Sequence, residues 1–107
     1  KMKLITKAIE NQIKKYPLYS QDGLGENAKV IVKFFFGNWT WLATEGQMSP
    51  DGNITFFGRV INGHDYEWGY FDLKELESVK FLGYPCVERD RWFKTGTTVK
   101  EAMEEIY

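Results

Sequence analysis

The strongest constraint on the fold is a pair of strand-like segments separated by two turn residues. Residues 28–36 and 39–45 are rich in β-branched and aromatic side chains, which favour strands. Gly37-Asn38 lies between them, and a glycine in first place is typical of a two-residue type II′ turn. This register places two aromatic pairs on one sheet face. We expect Phe36 and Trp39 to flank the turn, and Phe34 and Trp41 to lie in the core.

Other patterns along the chain complete the architecture. Apolar residues at helical spacing predict an N-terminal and a C-terminal helix, alternating residues predict a second hairpin, and capping boxes open both C-terminal helices. The segments are a helix over 6–16, strands over 54–61 and 66–71, a helix opening at Asp72 and a helix opening at Thr98. We therefore predict an α+β fold, with a four-stranded antiparallel meander sheet, an N-terminal helix and two short C-terminal helices.

Length and charge limit the classes of function. The 107 residues predict a single domain, 1–107, that can bury one core. Fourteen basic and fifteen acidic residues give a net charge of −1, which argues against a strongly electrostatic binder of duplex DNA. No apolar run reaches the length of a signal peptide or a membrane span, so we expect a cytoplasmic protein without a membrane partner.

Candidate catalytic and metal-ligating residues are few. His64, with Asp65 and Glu67, lacks the spacing of a zinc site, and we expect an exposed loop histidine. Cys86 is the single cysteine, which excludes an internal disulfide, and its apolar neighbours favour a core or subsurface position over a catalytic one. We predict no catalytic residue, no metal and no cofactor, and thus a protein that is not an enzyme.

Four consecutive charged residues form the segment Glu88-Arg89-Asp90-Arg91. The segment belongs to the part of the chain whose sequence is least explained by the pattern of apolar core residues. The two arginines tend to hold both carboxylates ionised, which disfavours acid–base chemistry. The segment is therefore either a salt-bridged anchor leading to the terminal helix or a contact for a protein partner. We favour the anchor and keep the partner contact as the alternative.

The sheet presents a second kind of candidate site. By alternation, one face carries Lys33 and Phe35, and an aligned second hairpin adds Phe57, Arg59 and Phe71. Aromatic rings interleaved with basic side chains resemble the stacking platforms that bind single-stranded nucleic acid. The competing interpretation is that helices cover these rings, so their solvent exposure decides between the two.

Short motifs in a fixed order resemble those of a known family. They are Pro17–Gln21, Val32–Phe34, Trp39–Trp41, Ala43–Gly46, Phe56–Gly58, Gly69–Phe71, Glu75–Glu77 and Val87–Asp90. The set resembles a family of small bacterial proteins known as domain of unknown function 2958. The resemblance implies a protein often carried on phages, plasmids and conjugative elements, sometimes beside anti-restriction genes, and it implies no known activity or cofactor.

These patterns predict a non-enzymatic accessory protein of a mobile genetic element that binds an unknown protein, encoded by the host or by the element. The alternative is a single-stranded nucleic-acid-binding module that uses the basic and aromatic sheet face. A hydrolase that uses His64, or the carboxylates of Glu88 and Asp90, is a distant third.

Overall fold

The computed structural model describes residues 3–107 and confirms the α+β fold. The helices are α1 (Lys7–Lys15), a 3₁₀ turn (Gly25–Asn27), α2 (Leu73–Ser78) and α3 (Val99–Ile106). The strands are β1 (Val32–Phe36), β2 (Trp39–Met48), β3 (Ile54–Asn62), β4 (Asp65–Asp72), β5 (Lys80–Phe81), β6 (Tyr84–Pro85) and β7 (Glu88–Arg89). One antiparallel sheet has the order β4-β3-β2-β1-β7, and β5 and β6 form a separate small hairpin.

The β1–β2 hairpin has the predicted register. Phe36 lies opposite Trp39 and Phe34 opposite Trp41, across a turn in which Gly37 has φ of +57°. That left-handed conformation is one that glycine adopts without steric cost. Phe34 is fully buried and Trp41 is 8% exposed, so the predicted core face is confirmed.

The main sheet has one strand more than the predicted four. β7 pairs with the outer edge of β1, which places Arg89 opposite Phe34 and Glu88 opposite Phe35. A strand of two residues carries no alternation that a sequence pattern can detect. Its pairing depends on the chain returning to β1 from more than fifty residues away, so tertiary structure alone specifies it.

Helices cover both faces of the sheet. Side chains of α1 and α2 pack on one face, in a cluster that includes Ile9, Ile13, Phe34, Trp41, Phe56, Phe71 and Leu76. Side chains of α3 pack on the other face, in a cluster of Val30, Leu42, Ile61, Val99, Ala102 and Met103. The sheet is therefore the middle layer, and little of its central area faces solvent.

The segment that precedes β1 breaks the predicted alternation. A strand over 28–36 with strict alternation would place Val30 on the face of Val32, but Val30 lies with α3 while Ile31 and Val32 both lie with α1. The backbone N–H of Val30 donates to Thr97 and that of Ile31 to Ala43. Because these bonds go to different partners, the chain turns here and strict alternation begins only at β1.

Local capping signals define the helix boundaries as predicted. Thr6 accepts a hydrogen bond from the Ile9 N–H at the start of α1. Capping boxes of Asp72 with Glu75 and of Thr98 with Glu101 open α2 and α3. No helix within residues 3–107 is long and apolar enough to cross a membrane.

Candidate functional site

The small β5–β6 hairpin, residues 80–85, is the most apolar exposed element of the described chain, and we call it the apolar hairpin. Three large side chains on it face solvent: Phe81 is 60% exposed, Leu82 81% and Tyr84 75%. Folding alone gives no reason to place three such side chains together in water, because each loses the free energy that burial would contribute. The apolar hairpin is therefore a candidate binding surface.

The turn of the apolar hairpin adds a conformational cost to this exposure. Leu82 has φ of +52° and Gly83 has φ of +84°, the pattern of a type I′ turn. Asparagine or glycine normally occupies the first position of such a turn, since a branched side chain there costs about 1–2 kcal/mol. The Leu82 side chain lies in solvent, so no intramolecular contact compensates for that cost. A residue that disfavours folding in this way indicates a functional constraint.

A cavity of about 400 Å³ lies beside the apolar hairpin. Its walls include the apolar side chains of Leu4, Phe36, Leu76 and Val87, and Glu77 and Glu88 also line it. The Phe36 ring packs 6.3 Å from that of Phe81, which connects the cavity to the hairpin. The sequence analysis missed this surface, although Phe81 and Tyr84 around Leu82-Gly83 carry a two-residue hairpin signal.

The charged segment makes the contacts of an anchor. The backbone N–H of Asp90 donates to the Lys33 carbonyl at 2.9 Å, and the Asp90 carboxylate lies 3.4 Å from the Lys33 ammonium. The Arg89 guanidinium donates to the Lys3 carbonyl. Glu88 and Arg91 are exposed, so a contact between these two side chains and a partner stays a prediction.

We expect Arg89→Ala to lower the free energy of unfolding by about 1–2 kcal/mol, because it removes a charge-assisted hydrogen bond at a half-buried position. Arg91→Ala, at the exposed neighbouring position, is the control and should change stability by less than about 0.5 kcal/mol. Urea unfolding monitored by tryptophan fluorescence measures both. If the two variants were equally stable, Arg89 would have no role in anchoring the segment.

The residues predicted to bind nucleic acid do not form one platform. Lys33 and Phe35 lie on β1, and Phe57 and Arg59 lie on β3. Leu42 on the intervening strand β2 is fully buried under α3, which separates the two pairs. Phe35 and Phe57 are half-buried, so the two rings do not form the open stacking surface that the prediction requires.

Phe71 lies on the opposite face from the one we expected. The two-residue turn between β3 and β4 pairs Phe71 with Phe56, and both rings belong to the core under α1 and α2. Phe71 is 6% exposed and its ring centroid lies 5.5 Å from that of Phe56. Phe57 pairs with Tyr70 instead, so Phe71 shares the core face of Phe56 and the expected grouping of Phe71 with Phe57 was wrong.

Arg59 is buried rather than available to a phosphate. It is 7% exposed, and its guanidinium lies between the rings of Tyr66 and Trp68. Its Nη2 lies 2.8 Å from a Glu26 carboxylate oxygen, and its buried Nε has no hydrogen-bond partner within residues 3–107. The register of β3 against β4 brings Arg59 to the rings, and the packing of the Gly25–Asn27 turn brings Glu26, so no local sequence pattern reveals this arrangement.

His64 lies in the β3–β4 turn and is exposed, as predicted. Its ring stacks on Tyr107, with centroids 6.0 Å apart, and the Tyr107 hydroxyl donates to the Gly63 carbonyl at 2.8 Å. These contacts attach the C-terminal residue to the turn. Within residues 3–107, no three His, Cys, Asp or Glu side chains are grouped so that they could hold a metal ion.

Comparison with known proteins gives one match. The family model described as Protein of unknown function (DUF2958) matches residues 4–105, which is nearly the whole chain. No curated protein and no solved structure matches the chain significantly. The match agrees with the ordered motifs in the sequence and assigns no activity.

Proposed function

We propose a protein-binding function for this chain, which belongs to the family described as Protein of unknown function (DUF2958). The protein acts in the cytoplasm as a non-enzymatic accessory protein and binds its partner through the apolar hairpin. Its association with a mobile genetic element, and a partner encoded by the host or by that element, follow from the family resemblance alone.

The exposed Leu82 in a left-handed conformation carries the proposal. An apolar side chain that is 81% exposed and disfavoured by its own backbone contributes nothing to folding. In a complex, the same side chain and its neighbours Phe81 and Tyr84 would enter an apolar pocket of the partner and lose their contact with water. A protruding turn that carries such side chains is well shaped for insertion.

The composition of the surface favours a protein as the partner. Aromatic and aliphatic anchors surrounded by polar side chains are the usual anatomy of a protein–protein interface. Phe81 and Tyr84 supply the aromatic anchors, and the exposed side chains of Glu77, Lys80 and Glu88 lie near them in the chain and around the adjoining cavity. The hairpin forms a small sheet of its own, separate from the main sheet, and its large side chains are exposed, so a macromolecule can reach them.

Leu82→Asn separates binding from folding. Asparagine tolerates the left-handed conformation, so we expect equal or higher stability, by up to about 1 kcal/mol. Loss of the apolar anchor should weaken partner binding at least about tenfold. Capture from cell lysate with immobilised protein, followed by mass spectrometry, identifies the partner, and calorimetry with purified components measures the affinity.

The matched control is Leu24→Asn. Leu24 is 49% exposed, has ordinary right-handed backbone angles and lies in a different loop. This variant should capture the partner as the wild-type protein does. A partner that is retained by Leu82→Asn, or lost equally from both variants, would contradict a binding role for the apolar hairpin.

A further inference from the structure

One face of the β3–β4 hairpin carries a row of aromatic rings that already holds a cation. The guanidinium carbon of Arg59 lies 4.2 Å from the centre of the Trp68 ring and 4.8 Å from that of the Tyr66 ring. Its Nη2 pairs with the Glu26 carboxylate at 2.8 Å. Two rings and one carboxylate thus form a guanidinium site, which the protein fills with its own side chain.

A cavity of about 350 Å³ lies next to the Trp68 end of this row of rings. Aromatic and acidic residues line it, as they line the Arg59 site. The Phe57 ring is nearly parallel to that of Trp68, with centroids 6.1 Å apart, and both line the cavity. Asp22 and Glu45 also line it. The cavity therefore combines aromatic walls with two carboxylates, as the Arg59 site does with one.

Glu45 is a buried carboxylate without a cationic partner. It is 4% exposed, and its two oxygens accept the backbone N–H groups of Tyr19 at 2.7 Å and Gln21 at 3.0 Å. No lysine, arginine or histidine in the described part of the chain forms an ion pair with it. Its negative charge is thus balanced by hydrogen bonds alone.

The charges of Glu45 and Asp22 also reach the Tyr70 hydroxyl. A hydrogen bond with Tyr19 is the main cause that raises the pKa of Tyr70, followed by burial and by the charge on Tyr19, with Glu45 and Asp22 as minor causes. Both carboxylates therefore act on the same region of the surface. A cation bound there would lie in a favourable field.

We propose that this cavity binds the guanidinium group of an arginine side chain from a partner protein. The group contacts the parts of the Trp68 and Phe57 rings that line the cavity and pairs with Glu45 and Asp22, so it meets the same kinds of groups that Arg59 meets in its own site. A guanidinium suits the site better than an ammonium, because it is planar, stacks on aromatic faces and donates several hydrogen bonds.

The free edge of β4 indicates that an extended segment carries this arginine. β4 is the last strand of the main sheet, and the Asp72 N–H donates to Glu75 rather than to β3. Because N–H direction alternates along a strand, the N–H groups of Tyr66, Trp68 and Tyr70 also point away from β3. A partner strand added to this edge places its side chains beside those three rings.

A capped valine–arginine–valine tripeptide is the probe, and the indole N–H signal of Trp68, assigned with Trp68→Phe, is the readout in two-dimensional NMR. We expect a saturable shift of that signal. The same tripeptide with neutral citrulline should bind at least about tenfold more weakly. Equal affinity for citrulline would overturn the charge recognition, and equal affinity for methylguanidinium would overturn the assignment to a peptide segment.

Asp22→Asn removes one carboxylate at an exposed position. This variant should bind the arginine tripeptide with an affinity roughly threefold or more lower at low salt. Glu77→Gln, which removes a charge on α2 beyond the opposite face of the sheet, should leave the affinity unchanged. An unchanged affinity in Asp22→Asn, or an equal loss in Glu77→Gln, would overturn the proposal. Leu82→Asn should bind the probe normally, so the cavity and the apolar hairpin are tested separately.

Discussion

Gly58→Ala should destabilise the protein by about 3 kcal/mol or more, because the added Cβ overlaps the backbone of β2. It would lie 1.9 Å from the Leu42 carbonyl oxygen and 2.9 Å from the Ala43 Cα. Both atoms belong to the central part of the main sheet and cannot move away as a flexible side chain would. The β2–β3 register also shifts next to this point, between Ala43 and Glu45.

Gly69→Ala is the matched control, since Gly69 lies directly opposite Gly58 on β4. A Cβ on Gly69 meets no atom within 4 Å. We expect this variant to range from unchanged to about 1 kcal/mol more stable, since alanine loses less backbone entropy than glycine on folding. Equilibrium urea unfolding compares the two, and similar stabilities would show that β2 moves to accommodate the methyl group.

Trp41→Ala should lower the free energy of unfolding by about 3–5 kcal/mol, the usual cost of removing a large buried ring. Trp41 is 8% exposed and belongs to the core under α1 and α2. Its ring stacks on that of Trp39, with centroids 5.7 Å apart and an angle of 13° between the planes. The truncation therefore leaves a cavity in the core and removes an aromatic contact.

Trp39→Ala is the control for this second prediction. Trp39 shares the stack and the strand but is 42% exposed, so we expect a loss of only about 1 kcal/mol, mainly from the aromatic contact. Thermal and chemical unfolding of both variants give the comparison. If Trp41→Ala unfolded at the wild-type midpoint, the assignment of the sheet faces would be wrong.

The sequence by itself determined the features that depend on neighbouring residues. The β1–β2 register followed from Gly37-Asn38 between two strand-forming segments, and the helix starts followed from Thr6, Asp72 and Thr98. Turn geometry and capping involve groups at most four residues apart, so their energies are readable from local sequence. For the same reason the α+β class was predicted correctly.

Only the tertiary structure decided which candidate residues lie together and which of them contact water. Arg59 and Phe71 both matched a basic and aromatic surface pattern, yet one is enclosed by Tyr66 and Trp68 and the other is in the core. Their burial depends on cross-strand pairing and on where the helices and the Gly25–Asn27 turn pack, which are long-range contacts that no local pattern encodes. The pairing of β7 with β1 is likewise a long-range contact that no local pattern encodes.

The candidate binding surfaces also depend on both levels, since the sequence predicts exposed aromatic rings and the tertiary structure selects which rings are exposed. The composition, with 17% aromatic residues, predicts that some rings lie near the surface, but it does not say which. The exposure of Leu82 depends on a hairpin that forms a small sheet separate from the main sheet, and the cavity beside Trp68 depends on Glu45 meeting a loop more than twenty residues earlier in the chain. Local sequence thus determined the helices and the four long strands, and their packing decided which side chains remained available for binding.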